Sequence, residues 1–93
     1  MTKYQVMFII RPDLSEEQYD GIVEEMSAVF TNNNSEVTDV KKWGLRDLAY
    51  EIDDLKKGYY VLFEVNATNE AVVEYNRISV IKEDIIRHII VKD

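Results

Sequence analysis

Apolar residues along this chain follow two periods, and the places where one gives way to the other predict six elements. Tyr4–Ile10 (YQVMFII) is a short run rich in β-branched and aromatic residues that stops at Arg11-Pro12, which predicts a strand buried on at least one face. Ser15-Glu16-Glu17-Gln18 matches the S-x-x-Q capping box, in which the Ser hydroxyl and Gln side chain satisfy free N–H groups at a helix start. Acids in that first turn suit the positive end of the helix dipole. Tyr19, Ile22, Val23, Met26, Val29 and Phe30 then keep the three-four spacing of one buried helix face. Thr31-Asn32-Asn33-Asn34 ends the helix, because Asn tolerates the left-handed conformation and competes for backbone hydrogen bonds. Gly21, inside the helix, is expected to mark close packing.

Glu36–Ile52 is too polar for a core helix and carries Gly44 in its middle. Beyond that glycine Leu48, Tyr50 and Ile52 alternate with Asp47, Ala49 and Glu51, which predicts a long strand with a bulge or bend at Gly44. Asp53-Asp54-Leu55-Lys56-Lys57-Gly58 reads as a polar hairpin connection into a third strand, Tyr59–Val65 (YYVLFEV). Thr68 or Asn69 can cap a second helix with apolar positions Ala71, Val72, Tyr75 and Ile78. Ile85–Val91 (IIRHIIV) closes the chain as a fourth strand.

The order βαββαβ is the split βαβ, or ferredoxin-like, arrangement of an α+β sandwich. Two helices pack on one face of a four-stranded antiparallel sheet, both crossovers are right-handed, and the other sheet face is open. Alternation assigns Val6, Phe8, Ile10, Tyr59, Val61, Phe63, Val65, Ile86 and Ile90 to the helix side. It leaves Gln5, Met7, Ile9, Tyr60, Leu62, Glu64, Arg87, Ile89 and Val91 on the open face. Most of these nine are large and apolar or aromatic, whereas a solvated sheet face is usually more polar, so the pattern suggests a partner.

Length and composition narrow the class. A chain of 93 residues suits one domain, residues 1–93 with no linker or tail, and buries roughly 60–65% of its unfolded surface, too little for a large enclosed active site. No apolar run approaches the ~18 residues of a membrane span, and Met-Thr-Lys-Tyr-Gln does not begin a signal peptide. The absence of Cys removes disulfides, thiolate zinc sites and thiol catalysis. A net charge of −7 argues at first sight against nucleic acid. Yet residues 1–40 carry −6 of it, with five acids between Glu16 and Glu25, while residues 41–60 are at +1 and residues 61–93 at −2. A contact at one end feels charges within a Debye length of about 8 Å, so an acidic face can coexist with a neutral or basic one.

Catalysis finds no support in the residue pattern. His88, the single histidine, has no second His and no Cys with which to build a transition-metal site, and no Ser or Asp is placed to form a triad. It reads as a core or edge histidine. The pairs Glu16/Glu17 and Glu24/Glu25 fall on the solvent side of the first helix, and Gly21, Gly44 and Gly58 make no phosphate-binding glycine loop. Lys57-Gly58-Tyr59 opens the third strand as in RNA-recognition motifs, but Tyr60 replaces the small residue that follows there, and Val61 and Glu64 replace later aromatics.

The most distinctive stretch is Trp43-Gly44-Leu45-Arg46-Asp47-Leu48-Ala49-Tyr50-Glu51-Ile52, a bulged strand presenting a Trp, a Tyr and an Arg. It resembles the W/L-G-x-R-x-L-A-Y-x-I block of the bacterial small-subunit (30S) ribosomal protein six family. The resemblance runs along almost the whole chain, through Tyr4 and Val6, Pro12 and Leu14, Gly58-Tyr59, and Ile85, Arg87 and Lys92. It implies a structural, non-enzymatic constituent of the 30S subunit, cytoplasmic and ribosome-bound. Such a protein pairs with small-subunit ribosomal protein eighteen and binds the central domain of 16S rRNA, with no cofactor, metal, membrane or small-molecule substrate.

Carried over by position, the resemblance implies RNA contacts at Lys3, Tyr4, Arg46, Lys56, Arg87 and Lys92. The cations would meet phosphates, and Tyr4 a sugar or base. It offers Trp43, Leu48, Tyr50 and Tyr60 to the protein interface, where aromatic anchors dominate. Departures from the family pattern are Asp47 and Thr2, where many relatives are basic, and Glu51, where many have Pro; the chain also stops at Asp93 without a long tail. Lower positive charge implies weak rRNA binding by the isolated chain, with the first helix facing away from RNA. Two other classes remain, a small-molecule-binding regulatory domain of ferredoxin-like form and a stand-alone RNA-recognition module.

Overall fold

Local hydrogen bonds set the ends of both helices in the computed structural model, which describes residues 1–52 and 54–93. Helix α1 (Glu16–Thr31) starts at the predicted capping box: the Gln18 N–H donates to Ser15 Oγ at 3.2 Å, and the Ser15 N–H donates to Gln18 Oε1 at 2.9 Å. At its far end Asn33 Nδ2 donates to the Val29 carbonyl at 2.7 Å, and Asn34 takes the left-handed conformation at φ +57°. Helix α2 (Asn69–Ile81) is capped by Thr68, whose Oγ1 accepts from the Ala71 N–H at 3.2 Å. The same hydroxyl donates to the Asn33 carbonyl at 2.9 Å, so one residue caps the second helix and ties it to the end of the first.

Strands β1 (Thr2–Ile10), β2 (Glu36–Ile52), β3 (Leu55–Ala67) and β4 (Ile85–Lys92) form one antiparallel sheet in the order β2-β3-β1-β4, with both helices on one face. The fold is the ferredoxin-like sandwich that the pattern predicts. Val6, Phe8, Ile10, Val61, Phe63 and Val65 are buried under Tyr19, Ile22, Val23, Met26, Phe30, Ala71 and Tyr75. Phe63 meets Phe8 edge-on at 5.3 Å and Phe30 at 6.4 Å, and Tyr59 stacks on Tyr19 at 4.0 Å. Tyr75 reaches through this layer to the Met7 and Ile89 carbonyls at 3.1 and 3.2 Å, fastening α2 to β1 and β4. Burial pushes its phenol far above the ordinary pKa, so it stays protonated and donates.

Three expectations are corrected. Ile86 is not on the helix side: Ile9 pairs with Arg87 but Ile10 pairs with Ile85, so the irregularity puts Ile85 in the core. It turns Ile86 toward the open face, with its Cδ1 beside Gly58. Gly21 marks no close packing, since a Cβ there meets nothing within 4 Å. The hairpin connection is far shorter than Asp53–Gly58, because β3 already begins at Leu55, which pairs with Ile52. Asp53 lies outside the described residues, and Asp54 is left-handed at φ +65°.

Strand lengths create the feature on which the site depends. The β1 pairing with β3 ends at Ile10–Tyr59, while the β2–β3 ribbon continues past it as an arm of residues 46–52 and 55–58. The predicted bulge is present: register shifts between Lys42 and Gly44, where Gly44 sits at φ +80°, and again between Asp47 and Ile52. Bulges bend and twist a ribbon, and this one curls over the open face until Leu48 and Tyr50 lie above Ile9. Ile9 is therefore only 3% exposed although it points away from the helices.

Gly58 gives that closure its room. A Cβ built there collides with Ile9 Cγ2 and lies 3.4 Å from Leu48 Cδ2. The neighbour is a β-branched side chain held in the sheet, so it yields little. Gly58→Ala is expected to lower stability by about 1–3 kcal/mol, and Gly21→Ala to raise it by about 1 kcal/mol, both read from urea midpoints at constant slope.

Candidate nucleic-acid interface

The proposed contact residues fall into two groups at opposite ends of the sheet. Arg46 pairs with Gly58 and Arg87 with Ile9, while Lys56 shares Gly58's face of the arm by alternation. Lys3, Tyr4 and Lys92 lie at the other end, where Lys92 pairs with Tyr4 and the Asp93 N–H donates to the Lys3 carbonyl at 2.9 Å. Ile9 lies six positions beyond Lys3 along β1, or about 20 Å at ~3.3 Å per residue. The two groups therefore offer two contact points and not one patch. Tyr4 packs partly against the core, and a small cleft beside it also holds Glu64 and Asp93, which makes that end less positive.

Of the residues offered to a protein partner, Trp43 is 51% exposed and Tyr50 is 63% exposed. Leu48 and Tyr60 are half-buried and line a shallow cavity of about 150 Å³ between arm and sheet, with Met7, Ile9 and Ile89 as its floor. A second hollow of about 160 Å³ continues along the open face over Met7, Leu62, Ile89 and Val91. The arm brings Tyr50 to Arg87, 37 positions away: Arg87 Nη1 donates to Tyr50 Oη at 2.5 Å. Arg87 Cζ is 5.8 Å from the ring centroid. With the hydroxyl so close, the guanidinium sits off the hydroxyl end of the ring, and the contact is a hydrogen bond more than a cation–π stack.

Ion pairing separates the cations sharply. Among the described residues Arg11 pairs with Asp84, Lys41 with Asp39, Lys42 with Asp20, Arg77 with Glu74 and Lys82 with Glu25. None of these is a proposed RNA contact. Arg46 Nε instead donates to the Trp43 carbonyl at 3.3 Å, and Arg87 binds the Tyr50 hydroxyl, which raises its pKa further and keeps it charged. Lys57, another arm cation outside those pairs, is a residue that sequence reasoning passed over, although the basic run at 56–57 marked it. The acids of α1 are on the far side, a helix about 10–12 Å across away from the sheet, comparable to a Debye length.

His88 does not join either group. It lies on the helix side of β4 and meets the Tyr75 ring edge-on at 5.7 Å. Tyr59, the aromatic that an RNA-recognition motif would use for stacking, is buried against Tyr19. Among the described residues no cluster of three His, Cys, Asp or Glu side chains could hold a metal ion, and no helix is long and apolar enough to cross a membrane.

The structure is a ferredoxin-like sandwich whose apolar outer sheet face is partly covered by a curled arm, with Arg46 on the arm and Arg87 on β4 outside every ion pair among the described residues. The family model described as Ribosomal protein S6 matches residues 3–92. A crystal structure of 30S ribosomal protein S6 from Thermotoga maritima superposes with a TM-score of 0.93 at 25% identity, covering 99% of this chain and 87% of that one. An EthD family protein from Bacillus halodurans C-125 matches over 100% and 99% of the two chains at a TM-score of 0.46 and 12% identity, and nothing about this chain follows from it. The chain belongs to the ribosomal protein S6 family, whose members are structural proteins of the small ribosomal subunit and not enzymes.

Burial lowers the pKa of His88. The unfolded chain then binds more protons than the folded one below the ordinary His value of about 6.5, so His88 adds stability above that pH and withdraws it as pH falls through the depressed value. His88→Phe, which keeps a ring against Tyr75, is expected to lose less stability than the parent between pH 7.5 and 5.5. Urea midpoints of both proteins at the two pH values check this.

Proposed function

We propose that this chain acts in the small subunit by binding the central domain of 16S rRNA, jointly with small-subunit ribosomal protein eighteen, on ribosomes in the cytoplasm. The observation that carries this reading is the division of the cations. Lys3, Arg46, Lys56, Arg87 and Lys92 lie outside every ion pair among the described residues, whereas Lys42 and Lys82 are paired with the α1 acids Asp20 and Glu25. A phosphate approaching the arm displaces no carboxylate, so Arg46, Lys56 and Arg87 supply positioning contacts at one end and Lys3, Tyr4 and Lys92 at the other. The open face supports the second partner: Leu48, Tyr50 and Tyr60 border hollows floored by Met7, Leu62, Ile89 and Val91, and Trp43 stands exposed on β2, apolar surface that a folded protein rarely leaves to water.

Few phosphate contacts on a molecule of charge −7 give weak binding by the chain alone. In mobility shifts with a central-domain 16S rRNA fragment, affinity is expected to rise steeply when the eighteen protein is added. Arg46→Ala and Arg87→Ala should each weaken the ternary complex about tenfold. Tight binding by the isolated chain, indifferent to both substitutions, would sink the assignment.

A further inference from the structure

Tyr50 and Arg87 enter the proposed function on different sides, one facing a protein and the other RNA, yet the folded chain bonds them to each other. We infer that Tyr50 is a positioning residue for RNA: its hydroxyl holds the Arg87 guanidinium over the open face with one edge of the fork left for a phosphate. The inference rests on the rRNA-binding reading and moves Tyr50 from the partner surface to the RNA surface.

The geometry supplies the argument. Tyr50 Oη takes Nη1, the nitrogen on the same side as Arg87 Cδ. The opposite edge, Nε with Nη2, is the one that presents two parallel N–H groups, and it is not occupied by this contact. Arg46 is tethered in the complementary way: its Nε goes to the Trp43 carbonyl, which leaves its Nη groups. Both anchors are neutral oxygens, so each guanidinium is restrained without losing charge. An ion pair with a carboxylate would restrain it equally but cancel the field that draws a phosphate.

Restraint matters because of entropy. Arg87 stands exposed on an edge strand, opposite Ile9 and beside apolar Ile89, with no other polar side chain bonded to it among the described residues. Untethered, it would sample several rotamers, and ordering one such side chain on binding weakens a complex several-fold. Tyr50 is 63% exposed, so it contributes little to the core, and its hydroxyl bond is the interaction that Tyr50→Phe removes.

Binding of a central-domain 16S rRNA fragment, with the eighteen protein present and at several salt concentrations, tests the inference. Tyr50→Phe is expected to weaken binding about three- to tenfold, by the cost of ordering one long side chain, with an unchanged urea midpoint and an unchanged salt slope. Arg87→Ala should weaken binding and reduce the salt slope by about one, and the double variant should bind like Arg87→Ala alone. A Tyr50→Phe loss that persists in the Arg87→Ala background would show a direct contact by Tyr50 and overturn positioning. Parent-like binding by Tyr50→Phe, with Arg87→Ala impaired, would overturn the inference alone. Unimpaired Arg87→Ala would overturn the RNA reading of this residue together with it.

Discussion

The absence of a side chain at Gly58 is the constraint on which the contact surface depends. The β2–β3 ribbon outruns β1, and an unsupported two-stranded arm has little stability of its own. It becomes part of the fold by lying back on Ile9, and that approach is closer than any Cβ would permit. Once the arm is seated, Leu48 joins Ile9 in a small second core on the sheet's outer face, and Tyr50 is carried to β4. The bulge at Gly44 supplies the bend, and Gly58 supplies the room.

Electrostatics then divides the molecule. On the helix side Asp20 and Glu25 meet Lys42 and Lys82 at 2.6 Å each, and the remaining acids of α1 face water. On the sheet side the arginines are held by a carbonyl and a phenol. The net charge of −7 describes neither surface. An acidic molecule thereby keeps two arginines that no carboxylate among the described residues engages.

Much of the fold was legible because local physics decides it. The Ser15–Gln18 cap, the Asn-rich stop and the Thr68 cap are bonds between near neighbours, and the core faces of both helices follow from three-four spacing. Ile86 was misplaced because alternation assumes an unbroken ladder, and the irregularity at Ile9–Ile10 is set by pairing with a strand some 75 positions away. Gly21 looked like a packing glycine because helix interiors ordinarily exclude Gly, but only coordinates show the empty space beside it. Resemblance placed Arg46 and Arg87 as one set with Lys3 and Lys92, and the sheet separates that set into two ends.

By itself the sequence determined the element order, the capped helices, the buried stripe and the family block around Gly44, since each is written within a few neighbouring residues. Only the tertiary structure decided which cations are engaged by carboxylates, where the arm lies, and that Tyr50 meets Arg87. Those contacts join residues far apart in the chain through the curl of a ribbon, and no local pattern encodes the distance between two strands that do not touch.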